Sequence, residues 1–406
     1  MLYNLVLLLA CVSAKKKYNV IVESTQIQMA DVDSGVLAVL DKEDLVLTTT
    51  KFGYTLELSD KTAKKLKNHP KVKYFEEDKE VRIASFLVND VATPYHSNSY
   101  VTTFVFQKNS PWGLSRISGH VDTYEYIKGG GKDVIVYVLD TGVDESHPEF
   151  GGRAKLKYNV VNGSPNTDEQ GHGTHCAGVI GSKTFGVAKD VNIVGVKVLD
   201  RHGAGSISRL VEGIDFVVDD YLDEVSMFLN GESKYSKKPS GVVSMSIGGE
   251  KSEILNYLIR SVSEKYGVHF STAAGNEHKD ACKYSPSSSS TSLTVGASDV
   301  MNQVAKFSNN GECVDLYAPG VDIESTWPGN QTRIASGTSM ATPHVAGIMA
   351  VYLGLVDFTP EDLKKRIWLD SESVIVSEQF WSIFSGRQRL ASLTQLYDRL
   401  KTHKTG

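Results

Sequence analysis

The chain alternates short, largely apolar runs with longer segments in which apolar residues recur every three or four positions. The runs at 134–139, 193–198, 242–245, 268–271 and 292–295 are rich in β-branched residues, as expected of strands covered on both faces. Segments 207–222 and 253–266 carry the helical period. Buried strands separated by helices predict an α/β domain with a mostly parallel sheet. In such sheets, active sites lie beyond the carboxyl ends of the strands. Apolar residues 345–355 predict a buried helix, 361–368 a closing helix after Pro360, and 390–400 an amphipathic segment.

The first part of the chain reads differently. Strands are predicted at 18–22, 36–40, 45–47 and 72–78. A short helix is predicted at 61–66, with an N-cap signal at Ser59-Asp60 and a stop at Pro70. Together they make a small α+β unit. Residues 84–109, rich in Ser, Thr and Asn, read as an exposed linker. At the start, an apolar run over 5–12 precedes Val12-Ser13-Ala14, a small-residue cleavage pattern. It reads as a secretory signal peptide cut after Ala14, although no basic residue precedes the run. The expected divisions are 1–14, 15–83, 84–109, 110–390 and 391–406.

With 406 residues, 41% of them hydrophobic and 22% charged, the chain has an ordinary globular composition. A net charge of −5 gives no reason to expect nucleic acid or an anionic membrane as partner. No internal stretch is apolar over a bilayer-spanning length. Of the four cysteines, Cys11 would leave with the signal peptide. Cys282 and Cys313 can pair in an oxidising compartment, but the sequence does not fix the pairing.

Four motifs carry candidate chemistry. Asp140-Thr141-Gly142 follows the first predicted strand; an aspartate there is a turn former or an acid. Gly171-His172-Gly173-Thr174-His175-Cys176 presents two histidines. Metal ligation is one reading, but no His-Glu-x-x-His helix accompanies them; a general base is the other. Ala273-Ala274-Gly275-Asn276 follows another strand and is either a turn or an oxyanion donor. Gly337-Thr338-Ser339-Met340-Ala341-Thr342-Pro343-His344 opens the 345–355 helix. It places Ser339 where unpaired N–H groups favour negative charge, as a serine nucleophile requires.

Taken together and in this order, the motifs resemble those of the subtilisin-like serine proteases. Cys176 is similar to the free cysteine of the proteinase K-like subgroup. The resemblance implies a three-layer fold and an Asp140–His172–Ser339 triad, with Asn276 donating to the oxyanion. It implies a substrate groove between Gly203-Ala204-Gly205 and Ser246-Ile247-Gly248, walled by Ala273, Ala274 and Gly275. No acidic residue lies inside those segments, so the expected preference before the scissile bond is apolar or aromatic. The 17–83 pattern resembles the family's ferredoxin-like inhibitor prodomain, which implies a zymogen whose own prodomain is an intramolecular inhibitor. The resemblance further implies a Cys282–Cys313 disulfide and no cofactor for catalysis. It also implies a structural calcium held by Asp315 and the carbonyls of Ser290 and Ser292. A secreted, monomeric endopeptidase acting on peptides or proteins is the leading expectation. A catalytically silent binding module is the alternative, and a metal hydrolase the third. Residues 223–241 read as a solvated insert, and Asn162 and Asn330 as glycosylation acceptors.

Overall fold

The computed structural model describes residues 15–22, 35–84, 86–88, 104–373 and 389–402. It divides into two compact units, one ending at Asp78 and the other starting at Lys79. The signal-peptide segment lies outside the described residues.

The first unit contains β1 (Lys16–Val22), β2 (Leu45–Thr50), β3 (Gly53–Leu58), α1 (Asp60–Lys67) and β4 (Val72–Glu77). Its sheet is antiparallel in the order β2-β3-β1-β4. Ser59 caps α1 by accepting the Thr62 N–H, as its position predicts. Ala63 and Leu66 of α1 pack on Val20, Val22, Leu56 and Leu58. The strand expected at 36–40 is instead a 3-10 turn over Leu37–Val39. Five consecutive apolar residues do not by themselves separate strand from helix.

The second unit opens with β5 (Glu80–Ile83) and β6 (Phe86–Val88). Next come β7 (Phe104–Lys108), α2 (Trp112–Ile117) and β8 (Thr123–Ile127), with β7 and β8 antiparallel. The segment read as an exposed linker therefore holds two strands, while 89–103 lies outside the described residues. Strand β7 is held by its pairing and by Phe104, whose ring meets Tyr397 edge-on at 5.4 Å.

The chain continues through β9 (Val134–Asp140), β10 (Ala154–Asn159), α3 (His172–Gly181), β11 (Asn192–Lys197) and β12 (Ala204–Ser206). Helix α4 (Ile207–Leu229), β13 (Ser240–Met245), β14 (Ile247–Glu250), α5 (Glu253–Tyr266), β15 (His269–Ala273) and β16 (Tyr284–Ser285) follow. Then come β17 (Leu293–Ser298), β18 (Leu316–Pro319), β19 (Ile323–Trp327), β20 (Gln331–Ser336), α6 (Thr338–Leu355) and α7 (Pro360–Asp370). Strands β21 (Glu372–Ser373) and β22 (Arg389–Leu390) and helix α8 (Thr394–Thr402) close the described chain.

The central sheet has the order β10-β11-β9-β13-β15-β17-β18-β22-β21. All its pairings are parallel except that of the β21 edge strand. Alternation along β9 builds the three layers. Val134, Val136 and Val138 join the core formed with Val179 and Ile180 of α3 and Ala346 and Ala350 of α6. On the opposite face, the Tyr137 hydroxyl donates to Asp220 of α4 at 3.0 Å. Helix α4 continues to Leu229, so the first third of the expected 223–241 insert is helical; Gly231, with φ +75°, follows its end. Without Gly or Pro between 223 and 229, nothing stops the helix earlier.

Candidate active site

Each candidate side chain sits at or next to the end of a strand or the start of a helix. Asp140 ends β9, Asn276 lies just past β15, His172 begins α3, and Ser339 is the second residue of α6. Gly171 takes φ +104°, and a Cβ there would stand 2.2 Å from the Trp327 ring. Glycine is therefore required just before His172.

The His172 Nδ1–H donates to Asp140 Oδ1 at 2.7 Å, and both groups are buried. The same oxygen accepts the Thr141 N–H at 2.7 Å. Among the described residues, His172 Nε2 is buried and without a partner. Burial alone would lower the His172 pKa, but the Asp140 carboxylate outweighs it and raises the imidazole well above its ordinary value.

Pro343 shapes the other side. Lacking an N–H, it leaves the Ser339 carbonyl without its helical donor. The Ser246 hydroxyl fills that role at 2.9 Å, and the Cys176 thiol approaches at 3.5 Å. The same sulfur lies 3.9 Å from His172 Nδ1, so Cys176 is a shared neighbour of the imidazole and the serine. Burial raises the Cys176 thiol pKa, which keeps it protonated. The Ser339 hydroxyl donates to Ser246 O at 3.0 Å. The Ser339 N–H donates to Ala84 O at 3.2 Å. Asn276 Oδ1 accepts the Thr338 N–H at 2.9 Å, which fixes its side chain beside the start of α6.

Strand β5 lies between β12 and β14 and is antiparallel to both, with Ala204 opposite Arg82, and Ile247 and Gly248 opposite Ile83 and Arg82. Gly203 O accepts the Ile83 N–H at 3.2 Å, and Ser246 O accepts the Ala84 N–H at 3.3 Å. Ala273 and Ala274 are buried at the end of β15, and Gly275 has φ +101°.

Two positioning residues escaped the sequence reading. Asp168 is buried and accepts from the Thr141 hydroxyl at 2.8 Å, from the Gly171 N–H at 2.8 Å and from the Thr174 N–H at 2.9 Å. It ties the residue after Asp140 to the start of the His172 helix. Asn309 is likewise buried, and its amide donates to Ala274 O at 2.9 Å and Glu277 Oε2 at 2.8 Å. Its carbonyl accepts from the Lys279 N–H at 2.8 Å, so it clamps the turn that presents Asn276. Asp168 does carry a signal, an acid just ahead of a helix start. Asn309 carries none.

His175 stands apart from the pair. Its Nε2 faces the carbonyls of Ile323 and Arg333 at 3.0 and 3.1 Å, and burial pushes its pKa down to about 3. It holds α3 to β19 and β20 and does not converge with His172 on a common ligand position.

Cys282 and Cys313 form a disulfide. A loop of this length contributes roughly 3–4 kcal/mol in the chain-entropy picture.

The oxygens expected to bind calcium do not fit that ion. Lys364 Nζ sits among them, 2.9 Å from Asp315 Oδ1, 2.7 Å from Ser292 O and 3.1 Å from Ser290 O. An ammonium already neutralises the carboxylate and satisfies both carbonyls. Burial raises the Asp315 pKa, with Lys364 opposing the shift. Nothing in the sequence around Asp315 announces this cation, which comes from α7.

A serine on a helix start, a histidine–carboxylate pair and a groove that takes an extended strand define a serine endopeptidase. The subtilase family profile matches residues 131–379, and the peptidase inhibitor I9 profile matches residues 49–84. Putative subtilisin-like proteinase 1 of Encephalitozoon cuniculi is 42% identical over 79% of this chain and 77% of that protein. Proteinase R of Parengyodontium album is 42% identical over 80% and 76%. The crystal structure of a cold adapted subtilisin-like serine proteinase superposes with a TM-score of 0.61 at 38% identity, covering 70% of this chain and 98% of that one. The chain belongs to the subtilase family. It is a subtilisin-like serine protease carrying an inhibitor-type prodomain, the arrangement of a zymogen, and its substrates are peptides.

Proposed function

We propose that this is a secreted, monomeric endopeptidase in which Ser339 attacks the scissile carbonyl. His172 takes the Ser339 proton and passes it to the leaving amine. Asp140 fixes the imidazole and stabilises its protonated form. The Ser339 N–H and the Asn276 amide receive the oxyanion. The observation that carries this reading is the 2.7 Å Asp140–His172 bond with His172 Nε2 left unpartnered. For reaction, the Ser339 hydroxyl must leave the Ser246 carbonyl for that nitrogen. Such bonds often tighten only in the reactive complex.

Treatment with a sulfonyl fluoride should add one label at Ser339 and abolish peptide hydrolysis; full activity with Ser339 unlabelled would refute the assignment. The wall of Ala273, Ala274 and Gly275 supports an apolar preference. Fluorogenic peptides ending in Phe or Leu should be cleaved about tenfold or more faster than those ending in Arg. The reverse order would overturn that preference. The disulfide supports the secretory assignment, since such bonds persist in oxidising compartments.

We also propose that Lys364 does the work of the cation at Asp315. A chelator should then leave the thermal midpoint of the enzyme unchanged. Lys364→Ala should cost about 1–3 kcal/mol, less than breaking a fully buried pair because both side chains are partly open to solvent. The same substitution should make the midpoint respond to added calcium. A wild-type midpoint that falls on chelation would refute the proposal.

A further inference from the structure

We propose that Lys197 is a positioning residue of the reaction, whose buried ammonium holds the backbone next to Asp140 and balances the carboxylates behind His172. The inference rests on the triad reading above and adds a charged group that never meets the substrate.

Lys197 is the one charged residue in the run 193–198. It ends β11, and the parallel register sets it directly opposite Asp140, the last residue of β9. Residues paired across neighbouring strands project from the same face of a sheet. Asp140 follows Val134, Val136 and Val138 in alternation, so both side chains leave on the face that α3 covers. Among the described residues, Lys197 is the only lysine that is wholly buried. A buried ammonium is costly unless bonds and opposite charge match it.

The bond runs through Thr141. Lys197 Nζ donates to Thr141 O at 2.7 Å. The Thr141 N–H and the His172 Nδ1–H both donate to Asp140 Oδ1, each at 2.7 Å. The Thr141 hydroxyl donates to Asp168 Oδ1 at 2.8 Å and accepts the Gly173 N–H at 2.9 Å. Every polar group of Thr141 is thus committed, and Lys197 holds the carbonyl. One residue separates the ammonium from the carboxylate oxygen that meets the imidazole.

The charge comes from acids on three segments. Asp140 and Asp168 are both buried. Asp140 Oδ2 has no partner among the described residues. Asp168 accepts from hydroxyls and N–H groups, which carry no net charge. Asp200 and the partly exposed Glu169, whose Oε2 is 3.8 Å from Lys197 Nζ, are the other acids that act on the ammonium. Cys176 and His175, the remaining titratable neighbours of His172, are kept neutral by burial. At rest the buried set of Asp140, Asp168 and Lys197 therefore carries one net negative charge, and the proton that His172 takes from Ser339 cancels it. Without Lys197 two negative charges would face the imidazole, and it would hold a proton at a pH where it must be free to accept one.

The test is the pH profile of kcat/KM for Lys197→Met and Lys197→Gln, with active sites counted by sulfonyl fluoride titration. Both variants remove the charge, and glutamine keeps a donor for Thr141 O. The acid limb should move up by about half a pH unit or more in both. At the plateau, kcat should fall about tenfold or more in Lys197→Met and less in Lys197→Gln, with KM nearly unchanged. Mere loosening of Asp140 would weaken its hold on the imidazole and move the limb the other way. A limb that stays or moves down in both variants would overturn this inference and leave the triad reading standing. Loss of all folded enzyme in both would overturn it too, since Lys197 would then serve the fold and not the reaction. A wild-type protein that hydrolyses peptides with no acid limb and no label at Ser339 would overturn the triad reading itself.

Discussion

The Ser339→Ala chain should accumulate as uncut precursor and hydrolyse peptides about a millionfold more slowly, a magnitude that belongs to subtilisin and is transferred here. The fold should hardly notice the change. Among the described residues, the Ser339 hydroxyl makes a single hydrogen bond, to Ser246 O at 3.0 Å, and that carbonyl keeps the Ala84 N–H at 3.3 Å. The stability cost should be about 1 kcal/mol or less. The helix start, the Asn276 contact and the groove are backbone features and survive the substitution. Activity and stability should therefore separate: thermal unfolding close to wild type, hydrolysis at the residual level, and no mature species by mass. Normal maturation of the variant in the absence of other proteases would mean that the nucleophile lies elsewhere.

The parts of the fold legible in the sequence share one property: their signal is local. The apolar run at 134–139 could be little but a buried strand, and Asp140 follows at its end because the strand stops there. Segment 253–266 carries helical spacing, with Ser252 ahead of it and Gly267 behind, and the helix has those bounds. Where the signal was local but ambiguous, the reading went astray. Residues 36–40 are apolar enough for either state, and β3 was passed over although Tyr54, Leu56 and Leu58 alternate within it. What the sequence could not show depends on distant partners. Segment 80–84 has no mark of a central strand until β12 and β14, over a hundred residues on, pair with it on both edges. Lys364 is an ordinary helix lysine until Asp315 and two carbonyls surround it. Asn309 is unremarkable in sequence, yet it organises the turn that carries Asn276. The candidate residues Asp140, His172 and Ser339 were legible for a different reason. The chemistry demands one residue type at each position, and the neighbouring glycines are forced by contacts such as that of Gly171 with Trp327.

Asp140→Asn should lower kcat by about 10⁴-fold, a size carried over from serine proteases in general, and should move the acid limb of the pH profile downward. Both effects follow from one contact. Only a neutral His172 can take the Ser339 proton, so activity falls as acid protonates the ring. In the wild-type protein, burial opposes that protonation and the carboxylate at 2.7 Å favours it more strongly, which sets the ring well above its ordinary pKa. The acid limb of the wild type should accordingly lie above pH 6.5. Asparagine removes the charge and leaves the burial, so the ring becomes a weaker base and the limb shifts to lower pH. Either orientation of the new amide harms the reaction. With its NH2 toward His172 Nδ1, it drives the ring proton onto Nε2 and blocks acceptance from Ser339. With its oxygen there, beside the Thr141 N–H, the tautomer survives but the imidazolium formed in the transition state loses its counter-charge. A pH–rate profile of kcat/KM for both proteins measures the two effects together. A large rate loss with an unmoved limb would leave Asp140 a purely positional role. A variant with wild-type rate and profile would remove Asp140 from the mechanism.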